Sequence, residues 1–225
     1  QKFNGVTIEH ISSCVPSRRI ENSFFKSLLN EKETKMFEKT VGIYERRWAD
    51  INVTASDLGY HAAIEILNKN DIAKKSIKSV IFLSQTSDYK IPFTSNILQN
   101  RLGLGREILC LDINAGCAGF IQGLSTAYSI ANTLQKDQKV LLIVSETLSK
   151  ILSNADRSTT MLFGDGASAI LISKTENETD ESFFNFYSDG GKSDAIMIPD
   201  GGFRNVVTEE SFKSISDEKN NTKNR

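Results

Sequence analysis

Short runs of apolar residues alternate with longer helical patterns along most of the chain. Five of these runs have the length of strands, and they lie at residues 6–13, 78–84, 107–113, 139–145 and 167–173. Most are apolar without the alternation of a half-exposed strand, which is typical of strands that helices cover on both faces. The pattern predicts an α/β fold with a parallel or mostly parallel sheet.

Helical patterns separate the apolar runs. The best defined one follows Thr54, which precedes Asp57 at the spacing of a capping box, with Asp in place of the usual Glu or Gln. Apolar residues at Leu58, Ala62 and Ile66 then form one face, which predicts a helix over residues 55–69. Further helices are predicted at residues 21–39, at residues 94–103 with Thr94 or Ser95 as the N-cap, and from Cys117 to about Leu134.

The composition is that of an ordinary globular protein. The chain has 225 residues, of which 39% are hydrophobic and 24% charged, enough for one sizeable domain or for half of a larger two-domain enzyme. A formal net charge of -1 gives no bulk attraction to nucleic acid or to an anionic membrane. Since no apolar run approaches the ~18 residues of a membrane span, we expect a cytoplasmic protein that binds neither nucleic acid nor membrane.

The end of the chain differs from the rest. Residues 208–225 hold eight charged residues and only Phe212 and Ile215 as large apolar side chains. Such a segment cannot bury much surface. The sequence therefore predicts one domain over residues 1–207 and a polar linker or tail over residues 208–225.

The three cysteines lie in dissimilar contexts, with no CxxC pair and no His at metal-ligand spacing. We expect neither a disulfide framework nor a metal site. Cys117 is the candidate nucleophile, because an apolar strand ends just before it at a small-residue turn and a helix begins there. The partial positive charge and unpaired N–H groups of a helix N-terminus favour a thiolate and can bind an oxyanion. Cys14 and Cys110 are predicted to be structural, since free cysteine is often buried.

Three motifs, in the right order, carry a resemblance to a known family. They are Val-Gly-Ile-Tyr-Glu-Arg-Arg at 41–47, Asp-Ile-Asn-Ala-Gly-Cys-Ala-Gly-Phe at 112–120 and Asp-Arg-Ser-Thr-Thr-Met-Leu-Phe-Gly-Asp-Gly-Ala at 156–167. Together they resemble the N-terminal half of 3-oxoacyl-acyl-carrier-protein synthase III (beta-ketoacyl synthase III), of the thiolase superfamily. The resemblance implies a thiolase-like α/β unit, one half of an αβαβα layered sandwich with a mostly parallel mixed sheet.

The resemblance also implies an activity. Cys117 would accept an acyl group from a thioester and pass it to a carbanion made by decarboxylating malonyl-carrier protein, in fatty acid biosynthesis. It implies a homodimer, acyl-carrier protein as a partner, acyl-coenzyme A or acyl-carrier protein as the thioester substrate, and no tightly bound cofactor. The family's decarboxylating His and Asn lie in a C-terminal thiolase-like domain that matches nothing here, and neither His10 nor His61 falls at the family's position. We therefore expect the 225 residues alone to be an incomplete condensing enzyme.

Several substrate-facing positions depart from the family. Met36 and Thr40 stand where members that use acyl-coenzyme A commonly have Trp and Arg, whereas the Arg of the Asp-Arg motif is kept as Arg157. Arg157 could stack on a base or pair with a phosphate; the alternative is a salt bridge with Asp156 or another acid. Acyl-carrier protein thus competes with coenzyme A as the donor.

A further departure concerns the acyl group. Ile91 replaces a Phe that in the family closes the acyl pocket of the dimer partner. The smaller side chain predicts room for more than an acetyl group.

Two alternatives to condensation remain at this point. One is an acyltransferase that moves an acyl group to an alcohol or amine and needs Cys117 but no decarboxylation. The other is a catalytically silent subunit that binds a carrier protein.

Overall fold

A computed structural model of the chain describes residues 1–175, 177, 179–216 and 222–224. They form two compact units, each made of three separate stretches of the chain. The first comprises Gln1–Arg19, Arg47–Leu148 and Gly164–Asn185, and the second Ile20–Arg46, Ser149–Phe163 and Phe186–Arg225. The predicted boundary between residues 207 and 208 falls inside the second unit, and the division into a domain and a tail stays a prediction.

Eleven strands and four α-helices are assigned among the described residues. The strands are β1 (Lys2–Asn4), β2 (Val6–Cys14), β3 (Arg19–Glu21), β4 (Glu45–Arg47), β5 (Ile77–Leu83), β6 (Leu109–Ile113), β7 (Lys139–Glu146), β8 (Gly166–Lys174), β9 (Glu181–Phe183), β10 (Ser214–Ser216) and β11 (Thr222–Asn224). The helices are α1 (Glu31–Val41), α2 (Ala55–Lys69), α3 (Thr94–Arg101) and α4 (Gly119–Thr133).

The first unit is built on a five-stranded sheet that contains all five predicted strands, in the order β2-β8-β7-β5-β6. Strand β5 pairs in parallel with β6 and with β7, whereas β8 pairs antiparallel with β7 and with β2. The predicted α/β fold is confirmed, and its sheet is mixed, with two parallel and two antiparallel pairings. The short strands pair separately, β1 with β9, β3 with β4 and β10 with β11.

Helices cover both faces of this sheet, which explains the continuous apolar runs. On β5, Val80 and Phe82 pack with α2 and α3, while Ile81 and Leu83 pack with α4. All four side chains are buried. A strand that is buried on both faces is therefore apolar along its length, without alternating polar residues.

The helix boundaries follow from their caps. Helix α2 begins after Thr54 as predicted, and the Asp57 carboxylate accepts the Thr54 N–H at 2.8 Å. The predicted helix over residues 21–39 is partly wrong: a 3-10 turn occupies Asn22–Phe25, and α1 begins only at Glu31. A capping box at Asn30 explains this later start of α1. The helix ends at Val41, and its C-cap, Gly42, has a left-handed φ of 78°.

The end of the chain contains some regular structure. A 3-10 turn lies at Glu209–Phe212, and β10 pairs antiparallel with β11. Among the described residues, no helix combines the length and apolar character needed to cross a membrane.

Candidate active site

Cys117 lies in the turn that joins β6 to α4. The turn is closed by the Gly119 N–H, which donates to the Gly116 carbonyl at 2.7 Å, and α4 starts two residues after Cys117, with Ala118 as its N-cap. The predicted start at Cys117 is therefore two residues early. Because alanine has no side-chain oxygen, the cap itself cannot satisfy the N–H groups of the first helical turn. A thiolate or an oxyanion beside Cys117 is the kind of group that such a helix start stabilises.

Of the three cysteines, Cys117 alone is exposed. Burial raises the pKa of the Cys14 thiol. Burial also raises the pKa of Cys110, and the charge of nearby Asp112 adds to the effect. Both thiols are therefore disfavoured as thiolates, which agrees with their predicted structural role.

Two glycines hold the start of α4 tightly against the sheet. A Cβ on Gly119 would lie 2.9 Å from Ala115 Cβ, and one on Gly123 would lie 2.7 Å from Leu83 Cδ1. Both distances are below ordinary contact distance, so no larger residue fits without movement of its neighbours. The small residues after Cys117 thus set how closely the helix that follows Cys117 packs against the sheet.

The Cys117 turn adjoins the loop that follows β5. Glu146, the last residue of β7, accepts the Gln85 N–H at 2.8 Å and the Thr86 hydroxyl at 2.7 Å. The Gln85 side chain in turn lies 3.4 Å from the position a Cβ would take on Gly116. The three parallel strands end at this edge, which is where α/β sheets usually place their ligand sites.

Asp112 links the strand before Cys117 to the segment that carries Ile91. Its carboxylate accepts the N–H groups of Thr94 and Ser95 at 2.6 and 2.9 Å. The prediction that Thr94 or Ser95 is the N-cap of α3 is wrong. The N-cap is Phe93, and the capping acceptor comes from β6 instead. The Ile91 side chain is 84% exposed.

Three other predicted site residues lie in the second unit. Met36 and Thr40 are exposed on α1 and share one helical face with Glu33, given their spacing. Arg157 Nη2 lies 2.9 Å from Glu33 Oε1. The structure therefore brings Arg157 to the helix that carries Met36 and Thr40, and the salt bridge considered as its alternative role is made, with Glu33 rather than Asp156.

A buried polar group holds α1 to the rest of its unit. The Asn22 amide donates to Glu38 Oε1 and to the Ile43 carbonyl, both at 2.9 Å, and its oxygen accepts from Arg46 Nη2 at 2.6 Å. The Arg46 guanidinium also lies 4.9 Å from the centre of the Phe25 ring. Asn22 thus fixes the helix whose outer face carries the predicted substrate contacts.

Sequence reasoning did not assign roles to Glu33, Asp112 or Glu146. Asn30 and Glu33 stand at capping-box spacing, which was a readable signal. Asp112 and Glu146 are acidic residues at the ends of predicted strands, but their acceptor roles depend on loops from elsewhere in the chain. The catalytic role of Cys117 and the substrate roles of Arg157, Met36, Thr40 and Ile91 stay predictions. No cluster of three or more metal-ligating side chains occurs among the residues that the structure describes.

Comparison with known proteins gives consistent matches. The model of the family 3-oxoacyl-[acyl-carrier-protein (ACP)] synthase III matches residues 111–190. The chain is 35% identical over 221 residues to beta-ketoacyl-[acyl-carrier-protein] synthase III 2 of Staphylococcus epidermidis, covering 98% of the chain and 64% of that protein. It is 33% identical over 213 residues to beta-ketoacyl-[acyl-carrier-protein] synthase III of Fusobacterium nucleatum, covering 94% of the chain and 64% of that protein.

Solved structures agree with these matches. A 3-oxoacyl-(acyl-carrier-protein) synthase III structure superposes with a TM-score of 0.90 at 31% identity, covering 97% of the chain and 65% of that structure. A 3-oxoacyl-(acyl-carrier protein) synthase from Burkholderia xenovorans gives a TM-score of 0.85 at 34% identity, covering 90% of the chain and 58% of that structure. The predicted thiolase-like fold is confirmed. The chain spans just under two thirds of the length of the first two of these relatives.

Proposed function

Because the chain belongs to the 3-oxoacyl-acyl-carrier-protein synthase III family, we propose that it acts in acyl transfer followed by carbon–carbon bond formation. The observation that carries this proposal is that Cys117, at the start of α4, is the exposed cysteine, whereas Cys14 and Cys110 are disfavoured as thiolates. The proposal includes acyl-carrier protein as the partner, a homodimer and a cytoplasmic location.

In the first step the Cys117 thiolate attacks the carbonyl carbon of an acyl thioester. The negative charge moves to the carbonyl oxygen, and the start of α4 offers backbone N–H groups and a positive dipole to that oxygen. The tetrahedral intermediate then collapses, the C–S bond to the donor breaks, and the donor leaves as a thiolate that takes up a proton. The product is an acyl group on Cys117, and one difficult transfer has become two easier ones.

In the second step malonyl-carrier protein loses carbon dioxide, and the electron pair of the broken bond forms a carbanion. The carbanion attacks the acyl carbonyl, and the bond to Cys117 breaks to restore its thiolate. We assign the decarboxylation to no residue of this chain, since neither histidine matches the family's position.

The donor is proposed to contact Met36, Thr40 and Arg157, and the acyl chain to contact Ile91. Thr40 cannot replace a cation, so this face is less suited to the phosphates of coenzyme A than one that carries Arg at that position. Isoleucine is smaller than phenylalanine, so acyl groups longer than acetyl are proposed as substrates.

Intact-mass measurement after incubation with acyl-coenzyme A or acyl-carrier protein tests the first step. One acyl adduct is expected, and Cys117→Ala is expected to remove it. Release of carbon dioxide from malonyl-carrier protein then separates condensation from transfer to an alcohol or amine. Absence of an adduct from every donor would contradict the proposal and favour a non-catalytic carrier-binding role.

A further inference from the structure

We propose that Glu33 determines donor specificity: it occupies the guanidinium of Arg157 and thereby lowers the affinity for donors that carry a phosphorylated nucleotide, relative to acyl groups carried on a protein. This inference rests on the proposed function, because it concerns the acyl donor. It adds a residue that neither the motifs nor the family resemblance singled out.

The Glu33 carboxylate is held in place by two separate contacts. Its Oε2 accepts the Asn30 N–H at 3.0 Å, while its Oε1 accepts from Arg157 Nη2 at 2.9 Å. The first contact is part of the capping box that starts α1. Because helix formation itself positions the carboxylate, the second oxygen is already in place for Arg157.

The same contacts keep Glu33 ionised. The hydrogen bond from the Asn30 N–H, and then that from Arg157, hold the pKa of Glu33 below its ordinary value. The acid is therefore charged at neutral pH, and it balances the charge of Arg157. Guanidinium groups recognise phosphate by two parallel N–H bonds, so a carboxylate on one nitrogen competes directly with that mode of binding.

The side chains of α1 as a whole carry no net positive charge. The helix contains three lysines and three glutamates, and Lys35 Nζ is bound to Glu31 at 2.7 Å. Met36 and Thr40, on the face shared with Glu33, carry no charge. A phosphate that approaches this face meets a helix with no net side-chain charge and an arginine that already contacts an acid. The flexible side chain of Met36, in contrast, suits contact with a protein surface.

The test measures binding of adenosine 3′,5′-bisphosphate, a phosphorylated nucleotide without an acyl group, by calorimetry at low ionic strength. Glu33→Gln removes the charge but keeps a residue that suits a capping box. We expect it to bind the probe about two- to fivefold more tightly than the unchanged chain, which is the range of an exposed ion pair. Glu33→Asp keeps the charge but shortens the reach to Arg157, and a smaller gain is expected.

A matched control comes from the same helix. Glu31→Gln removes an equal charge from an ion pair that does not involve Arg157, so we expect no gain from it. The gain from Glu33→Gln should disappear when Arg157→Ala is added and should shrink in high salt. An unchanged affinity in Glu33→Gln, an equal gain in Glu31→Gln, or a gain that survives the loss of Arg157 would each overturn the inference.

Adduct formation at Cys117 distinguishes this inference from the proposed function. If no donor acylates Cys117, the proposed function fails. The other outcome is that Cys117 is acylated but Glu33→Gln does not change the ratio between its acylation rates with acyl-coenzyme A and with acyl-carrier protein. In that case only the inference about Glu33 fails.

Discussion

Asp112 Oδ2 lies 2.6 Å from the backbone nitrogen of Thr94, so the strand that leads to Cys117 also caps helix α3. The second carboxylate oxygen accepts the Ser95 N–H at 2.9 Å. A single side chain thus holds the segment next to Ile91 to the strand that precedes Cys117.

Loss of this cap is expected to destabilise the first unit. Asp112→Ala removes the acceptor for two N–H groups, and we expect a loss of about 1–2 kcal/mol in the free energy of unfolding. Asp112→Asn keeps one acceptor oxygen but loses the charge, and a smaller loss is expected. Urea denaturation measures both. Equal stability of Asp112→Ala and the unchanged chain would show that the cap contributes nothing.

The close approach of α4 to the sheet predicts a second effect. A methyl group at Gly123 would lie 2.7 Å from Leu83 Cδ1 in a packed interior, so Gly123→Ala is expected to cost about 1–3 kcal/mol despite the better helix propensity of alanine. Gly105 is the control, since nothing lies within 4 Å of its Cβ position. Thermal unfolding should separate the two variants; an unchanged midpoint for Gly123→Ala would mean that α4 packs less closely.

Glu9 predicts a dependence of stability on pH. It sits at a bulge in β2, where its carboxylate contacts Lys139 and Ser173. Burial alone would raise the pKa of Glu9, but the hydrogen bonds from Lys139 and Ser173 outweigh it and hold the pKa below the ordinary value of 4.5. A lowered carboxyl pKa adds stability above the ordinary value, and that stability is lost as the pH falls through the folded value.

The free energy of unfolding should therefore fall below about pH 4.5 more steeply for the unchanged chain than for Glu9→Gln. Glu107→Gln, at an exposed position, serves as the control for the removal of a carboxylate as such. Parallel curves for the unchanged chain and Glu9→Gln would contradict the assignment.

Asn22 predicts an effect on the second unit. Asn22→Ala removes a partner from the buried Arg46 and from Glu38, and we expect a loss of about 2–3 kcal/mol because buried polar groups are left unpaired. Asn96→Ala, at an exposed position of α3, should change stability little. Chemical denaturation of both variants gives the comparison, and equal stabilities would contradict a structural role for Asn22.

Local signals in the sequence predicted much of the fold. The five main strands and α2 are found close to their predicted positions, because apolar runs and the Thr54–Asp57 cap depend on neighbouring residues alone. The N-cap of α3 was wrongly assigned because its capping acceptor, Asp112, is distant in sequence. The antiparallel pairing of β8 also escaped prediction, since a strand buried on both faces shows the same pattern in either direction.

In the candidate site too, local features could be predicted from the sequence and contacts between distant residues could not. Cys117 was predicted from a strand, a small-residue turn and a helix that follow one another in the chain. The Glu33–Arg157 pair joins residues that are far apart in sequence, so only the fold could place them together.

Peptide mapping of the chain after incubation with an acyl thioester tests most directly whether Cys117 is the nucleophile. We expect the acyl group on Cys117, and we expect Cys117→Ala, but not Cys14→Ala or Cys110→Ala, to remove it. An acyl group on Cys14 or Cys110 in the unchanged chain, or acylation that persists in Cys117→Ala, would show that Cys117 is not the acyl acceptor.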